Sequence, residues 1–286
     1  AFELYQAMLA GAVPELELGG ILIALRIKGE AEEEMLGFYQ AMQQQVLPLQ
    51  APQGRPLPVV LPSYNGARKQ ANLTPLLALL LAKVGLPVVV HGVLDDSTRV
   101  TSAEIFRALG LPWSEQAAHA QQRLDNGEAV FMPVSTLSAP LARQLGLRWR
   151  MGVRNSAHTL AKLATPFGEQ DALRLASVSH PEYVGRVASF FRQIGARGLL
   201  MHGTEGEAYA NPLRCPQIHY IAGGEQRVLL ERALQDETPT LPAAKDAETT
   251  ARWIERCLAG EVAIPQAIQR QVACCLVAAG ESETLE

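Results

Sequence analysis

Long apolar runs are missing from this 286-residue chain, and so are the cysteine and histidine spacings that hold metals. No apolar stretch reaches the roughly 20 residues a membrane helix needs. No basic-then-apolar leader is visible either. The expectation is a cytoplasmic protein with no membrane partner. The chain begins at Ala1, and Phe2 to Leu9 already read as helix, so the N-terminus reads as truncated. Cysteine is scarce: Cys215, Cys257, Cys274 and Cys275 lack C-x-x-C spacing and sit in apolar context, which predicts buried, reduced thiols. No GxSxG, HExxH, Walker loop or zinc-spaced cluster occurs, so the common hydrolase, zinc and nucleotide-binding signatures are excluded. Lysine is rare too, with 5 against 20 arginines, and arginine suits bidentate phosphate contacts better.

What is present is an uneven charge. The net charge of −4 alone argues against a nucleic-acid partner. Between Arg143 and Arg197, however, nine bases face three acids, while from Glu225 onward eleven acids face six bases. A local excess of this size inside an acidic chain makes a one-sided field.

The pattern along the chain predicts an α/β fold: a small helical bundle domain plus a large domain with a mostly parallel sheet flanked by helices. Residues 1–49 read as short helices, one ending at Gly11 and a second ending at Lys28-Gly29. A third opens on Glu30, Glu32, Glu33 and Glu34, acids on the positive end of a helix. Four prolines between Pro48 and Pro58 mark a linker. Short apolar strands follow at Leu57 to Leu61, Leu86 to Val90, Ala129 to Met132, Arg174 to Val178 and Gly198 to Met201. Helices are predicted over 73–84, 102–109 and 181–194. Fully apolar strands alternating with helices mean a parallel sheet covered on both faces, with ligands beyond the strands' carboxyl ends.

Several candidates lie at that edge. The loop Pro62 to Asn72 joins the first strand to its helix. It keeps one glycine, Gly66, where a phosphate cradle needs several. Arg68 and Lys69 there are candidate phosphate contacts or simply two surface cations. His91 and His202 each end a strand before a glycine; no nucleophile accompanies them, so a structural histidine bonding nearby backbone is the adopted reading. Arg148-Trp149-Arg150-Met151-Gly152-Val153-Arg154 is the most basic segment. Trp149 between arginines has the make-up of a stacking platform. On a continuing helix it shares a face with Val153 and is core, which is the reading adopted. The arginines then stay available to an anion.

Arg26-Ile27-Lys28-Gly29-Glu30, Val90-His91-Gly92, Leu163 to Pro166 and His202-Gly203, in that order and spacing, resemble the anthranilate phosphoribosyltransferase family of glycosyltransferase family 3. The resemblance covers essentially the whole chain. It implies a helical domain of residues 1–49 with a returning pair at about 138–165, a large α/β domain of 55–137 and 166–286, and a homodimer formed through the helices. We expect Leu18, Ile21, Leu22 and Leu25 to supply that apolar face.

The family's chemistry does not carry over residue by residue. Its glycine-rich diphosphate loop falls on Ser63-Tyr64-Asn65-Gly66, its Lys-His-Gly-Asn on Val90 to Val93, and its Gly-Pro-Leu on Ala161-Lys162-Leu163. One family asparagine falls on His158, and the magnesium-binding acid pair falls on Ala208-Tyr209. A Mg²⁺-diphosphate substrate needs backbone donors and carboxylates. The resemblance is nearest to the YbiB-type subgroup, regarded as DNA-binding rather than as transferases. We therefore expect no catalytic residue, no cofactor and no metal. The expected function is sequence-independent DNA binding by a homodimer, with Arg68, Lys69, His91, Arg148, Arg150, Arg154, Lys162 and Arg174 as the contact set. A glycosyl or phosphoribosyltransferase acting on another substrate is the alternative.

Overall fold

The computed structural model describes residues 1–111, 113–234 and 238–285. Three helices come first: α1 (Phe2–Ala10), α2 (Glu15–Lys28) and α3 (Glu32–Gln43). Strands and helices then alternate as β1 (Val59–Ser63), α4 (Thr74–Lys83), β2 (Val88–Gly92), α5 (Ser102–Ala108), α6 (Ala117–Asp125) and β3 (Ala129–Pro133). A second helical stretch holds α7 (Val134–Leu137), α8 (Ala139–Met151) and α9 (Ala157–Leu160). The rest is β4 (Leu173–Val178), α10 (Tyr183–Gln193), β5 (Arg197–His202), β6 (Ile218–Ala222), β7 (Glu225–Leu230), α11 (Ala247–Leu258) and α12 (Gln266–Ala279).

These elements form two compact units. The helical unit is Ala1–Pro48 with Val134–Pro166. Its helices begin and end where chain chemistry asks. Gly11 closes α1 in the left-handed conformation, which a side chain would resist. α2 carries Glu15 and Glu17 in its first turn and Arg26 and Lys28 in its last, matching the helix dipole at both ends. Glu34 reaches back to the Ala31 N–H at the start of α3 and pairs with Lys28. Inside, Tyr5 stacks on Phe38 with ring centres 4.7 Å apart, and Met8, Leu22, Met42 and Leu141 are buried.

α2 corrects one expectation. Leu22 and Leu25 are buried within the unit, and Leu18 and Ile21 are half-buried. The face left in water is instead Leu16, Ile23 and Ile27, with Gly20 and Ala24 beside them. Steps of three and four residues put all five on one stripe.

The α/β unit is Leu49–Pro133 with Phe167–Glu286. Among its described residues one seven-stranded sheet runs β3-β2-β1-β4-β5-β6-β7. The first five in that order pair in parallel, and β6 and β7 add an antiparallel edge. β1, β2 and β3 are buried along their whole length, as strands covered on both faces must be. α4 packs Leu76, Leu77 and Leu81 into the same core as Val59, Leu61, Val88 and Val90. The predicted strands stand to within two residues, but the β6–β7 hairpin was not anticipated. All four cysteines are free and buried. Among the described residues no helix is long and apolar enough to cross a membrane.

The β1 and β2 ends come very close together. A Cβ on Gly92 would lie 1.9 Å from the Ser63 carbonyl oxygen, so only glycine fits. A Cβ on Gly203, just after β5, would meet the Glu207 carbonyl oxygen at 2.3 Å. Both His-Gly pairs thus mark tight approaches of backbone at the strands' carboxyl ends.

Candidate nucleic-acid interface and a filled anion nest

In the helical unit, Ser138 accepts a hydrogen bond from the Leu141 N–H and so caps α8. The helix buries Leu141, Gln144 and Leu145, then stops at Gly152, whose φ of 70° turns the chain back. The Arg154 carbonyl accepts from Arg26 Nη1 at 2.9 Å, and Asn155 Nδ2 donates to the Gln144 carbonyl at 3.0 Å. α9 then presents His158, with Lys162 four residues further on.

The charges of three of the predicted cations act here on one imidazole. Burial, followed by the charges of Arg154, Arg148 and Lys162, lowers the His158 pKa to about 4. Burial is the largest cause of that shift, and the three positive charges add to it. At neutral pH the imidazole adds no charge of its own. Its Nδ1 accepts from the Asn155 N–H at 3.2 Å.

Trp149 overturns its reading as core. It is 57% exposed, and the Arg148 guanidinium lies 4.5 Å from the centre of its ring. The core reading assumed that the helix continued to Val153, one turn on. The left-handed Gly152 ends it first, so the two side chains do not share a face. Arg150, one residue further along, is exposed but engaged: Nη1 and Nη2 donate to the two Glu15 carboxylate oxygens at 2.8 and 2.9 Å. The charges that act on His158 are those of Arg154, Arg148 and Lys162; Arg150 is not among them.

In the α/β unit, Arg68 and Lys69 are exposed on the β1–α4 loop. Two other candidates do not reach the surface. His91 is fully buried in β2, with the Tyr64 hydroxyl 2.7 Å from its Nδ1. Arg174 is 3% exposed in β4 and is paired with Glu169. Both side chains are buried within their strands, so neither presents a donor at the surface. His202, by contrast, is exposed and bonds the Ser179 carbonyl oxygen at 3.0 Å, the backbone role assigned to it.

The β1–α4 loop also holds what sequence reasoning missed. Its donors are in use, and the chain itself supplies the anion. The Glu207 carboxylate, fully buried, accepts from the backbone N–H groups of Asn65 (2.9 Å) and Gly66 (2.8 Å). It also accepts from the hydroxyls of Ser63 (2.6 Å) and Thr74 (3.0 Å). The half-buried Glu205 carboxylate accepts from three successive N–H groups, Arg68 (3.3 Å), Lys69 (2.9 Å) and Gln70 (3.3 Å). Both acids sit on one tight turn, Thr204 to Glu207, whose end residues exchange backbone bonds of 3.2 and 2.9 Å. Its middle residues, Glu205 at φ 54° and Gly206 at φ 88°, are both left-handed. The signal was present as Thr-Glu-Gly-Glu directly after a strand end.

The segment behind this turn is clamped. Gln271 accepts from the Ala210 N–H at 2.7 Å and donates to the Ala208 carbonyl at 2.7 Å. Tyr209 is buried and donates to the Ala71 carbonyl at 3.1 Å. Ala208 and Tyr209 offer no carboxylate to a cation, and the Glu207 carboxylate is held by four donors. This donor set does not fit a Mg²⁺-diphosphate group.

Comparison with known proteins gives a consistent picture. The glycosyl transferase family, helical bundle domain, matches residues 1–46, and the glycosyl transferase family, a/b domain, matches residues 65–286. The chain is 63% identical over 282 residues to the uncharacterized protein YbiB of Escherichia coli strain K12, covering 99% of this chain and 88% of that one. It is 32% identical over 209 residues to the anthranilate phosphoribosyltransferase of Thermus thermophilus, covering 71% of this chain and 61% of the enzyme. The crystal structure of anthranilate phosphoribosyltransferase from Thermus thermophilus aligns with a TM-score of 0.79 at 26% identity, over 99% of this chain and 86% of that one. The Saccharomyces cerevisiae enzyme in complex with PRPP and Mg aligns with a TM-score of 0.73 at 14% identity, over 98% and 83%, a likeness of fold alone.

Proposed function

The chain belongs to glycosyl transferase family 3, and from that premise we propose that it is a nucleic-acid-binding protein, DNA first, that has left transfer chemistry behind. The observation that carries this reading is the exposed ring of Trp149 with the Arg148 guanidinium over it, on a segment where the charges of Arg148, Arg154 and Lys162 all act on His158. A phosphate backbone needs cations and amides spread along a surface, not a shaped catalytic pocket, and such contacts position without reading sequence. Trp149 adds a flat π-face that any base can stack on. Arg68 and Lys69, exposed on the other unit, are proposed as further phosphate contacts. The transferase alternative has less support, because the loop donors such a substrate needs are already satisfied by Glu205 and Glu207.

We also propose that a second copy of this chain covers the exposed stripe of α2. Leu16 is 87% exposed and Ile27 81%. A two-fold contact buries one such stripe against its own copy and lets Gly20 bring the backbones close.

Fluorescence anisotropy with labelled duplexes of unrelated sequence, across a salt series, tests the function. The expected result is binding to all of them with similar affinity and a steep loss as salt rises. Absence of binding at low salt, or turnover of a phosphoribosyl donor by the pure protein, would contradict it.

A further inference from the structure

The β1–α4 loop has the construction of an anion site. Two successive amides (Asn65 and Gly66), two hydroxyls (Ser63 and Thr74) and, a few residues on, three more successive amides (Arg68, Lys69 and Gln70) converge on two points. Runs of backbone N–H groups aimed at one point bind oxyanions, because the fixed dipoles need no reorganisation to meet the charge. Here both points are occupied by carboxylates of the same chain. The four groups that donate to Glu207 are all neutral, two amides and two hydroxyls, as the donors of a bound anion would be. Ser63 Oγ also lies 2.7 Å from Ser102 Oγ, and Asn72 Nδ2 donates to Ser102 at 3.1 Å, so the donors are themselves held in place from behind.

The turn that carries the two acids is costly in itself. Glu205 is the one non-glycine residue with positive φ among the described residues. An ordinary side chain resists that conformation, yet it is the conformation that swings the carboxylate of residue 205 onto one nest while residue 207 fills the other.

We infer that Thr204–Glu207 is an internal plug: Glu207, assisted by Glu205, stands in for an outside oxyanion, and the β1–α4 loop is a latent oxyanion site that opens when the plug is removed. The ligand class is a small carboxylate or phosphate. This inference does not depend on nucleic-acid binding, which is proposed chiefly through the helical unit and, on this loop, through the side chains of Arg68 and Lys69 rather than its backbone amides.

The test is chemical rescue of folding. Glu207→Ala removes the carboxylate and leaves room about the size of acetate beside four donors. Thermal melts of the full chain are recorded in chloride, in acetate and in inorganic phosphate at matched ionic strength. The wild-type midpoint is expected to be the same in all three. Glu207→Ala is expected to melt lower in chloride and to recover part of the loss, saturably, with acetate or phosphate in the millimolar range. Glu207→Gln, which fills the space without the charge, is expected to melt lower and to gain nothing from either anion. If Glu207→Ala does not fold, Glu205→Gly carries the test. It empties the Arg68–Gln70 nest while relieving the left-handed strain, and it is expected to gain thermal stability from phosphate where the wild type gains none. A wild type stabilised by either anion as strongly as the variants overturns the inference. So does a folded Glu207→Ala that gains nothing from either anion, or, where that variant does not fold, a Glu205→Gly that responds no differently from the wild type.

Discussion

The guanidinium of Arg148 lies 4.5 Å from the centre of the Trp149 ring, and that ring is 57% exposed. One face of an exposed indole is thus backed by a cation, which strengthens stacking of a further π-system on the other.

Trp149→Ala is therefore expected to cost little in stability, within about 0.5 kcal/mol as at other surface positions. It is expected to weaken single-stranded oligonucleotide binding by about 1–3 kcal/mol. Tryptophan fluorescence should fall on adding oligonucleotide to the wild type and respond less in the variant. A variant that binds as tightly as the wild type removes Trp149 from the interface.

His158 supplies a reporter that needs no activity. Its pKa in the folded chain is lowered to about 4, from an ordinary 6.5. A histidine depressed in the folded state leaves the unfolded state binding more protons between those values. Its contribution to stability is therefore whole above about pH 6.5 and is lost as pH falls toward 4. His158→Asn should flatten that part of the melting profile. Arg154→Gln removes the neighbouring charge that acts most strongly on His158 and should move its titration upward by NMR. Bound phosphates should move it upward as well.

Much of the fold was legible because its strands are continuous apolar runs. Val88-Val89-Val90 and Leu199-Leu200-Met201 leave no other reading once helices alternate with them. The β6–β7 hairpin was not legible in that way. Ile218 to Ala222 mixes apolar residues with His219 and Tyr220, and Glu225 to Leu230 begins with three polar residues at an exposed edge. The usable signal there was Gly223-Gly224, both with positive φ, the turn that joins antiparallel strands. The candidate site divides along similar lines. Arg148, Arg154 and Lys162 stood out by charge density, whereas Glu205 and Glu207 look like any two surface acids until the turn between them brings both onto the β1–α4 loop. His91 does lie at the carboxyl edge of the sheet but is covered there, whereas Arg174 is the second residue of β4, at the opposite, amino end, and is covered as well.

Arg174 offers a control for that correction. It is buried and paired with the partly exposed Glu169, so Arg174→Ala is expected to lower stability by about 1–3 kcal/mol through lost packing and a lost buried interaction. The loss should appear in denaturant melts before any effect on binding. Normal stability with selectively weakened binding would return Arg174 to the contact set.

The α2 stripe separates folding from assembly. Ile27→Asp and Leu16→Asp alter exposed side chains and should yield a folded monomer by light scattering. Leu22→Asp places a charge in the core of the helical unit and should unfold it. A wild-type chain that is monomeric at micromolar concentration would rule out the second copy.

The most direct measurement is the salt dependence of duplex binding in the wild type and in Arg154→Glu/Lys162→Glu. Three phosphates met by Arg148, Arg154 and Lys162 contribute about 2.7 to the log–log slope, or a loss of about 40-fold between 50 and 200 mM salt. The double variant is expected to stay folded, to bind every sequence more weakly, and to show a slope shallower by about 2. A folded double variant with unchanged affinity and unchanged slope would contradict the placement of the interface on the helical unit.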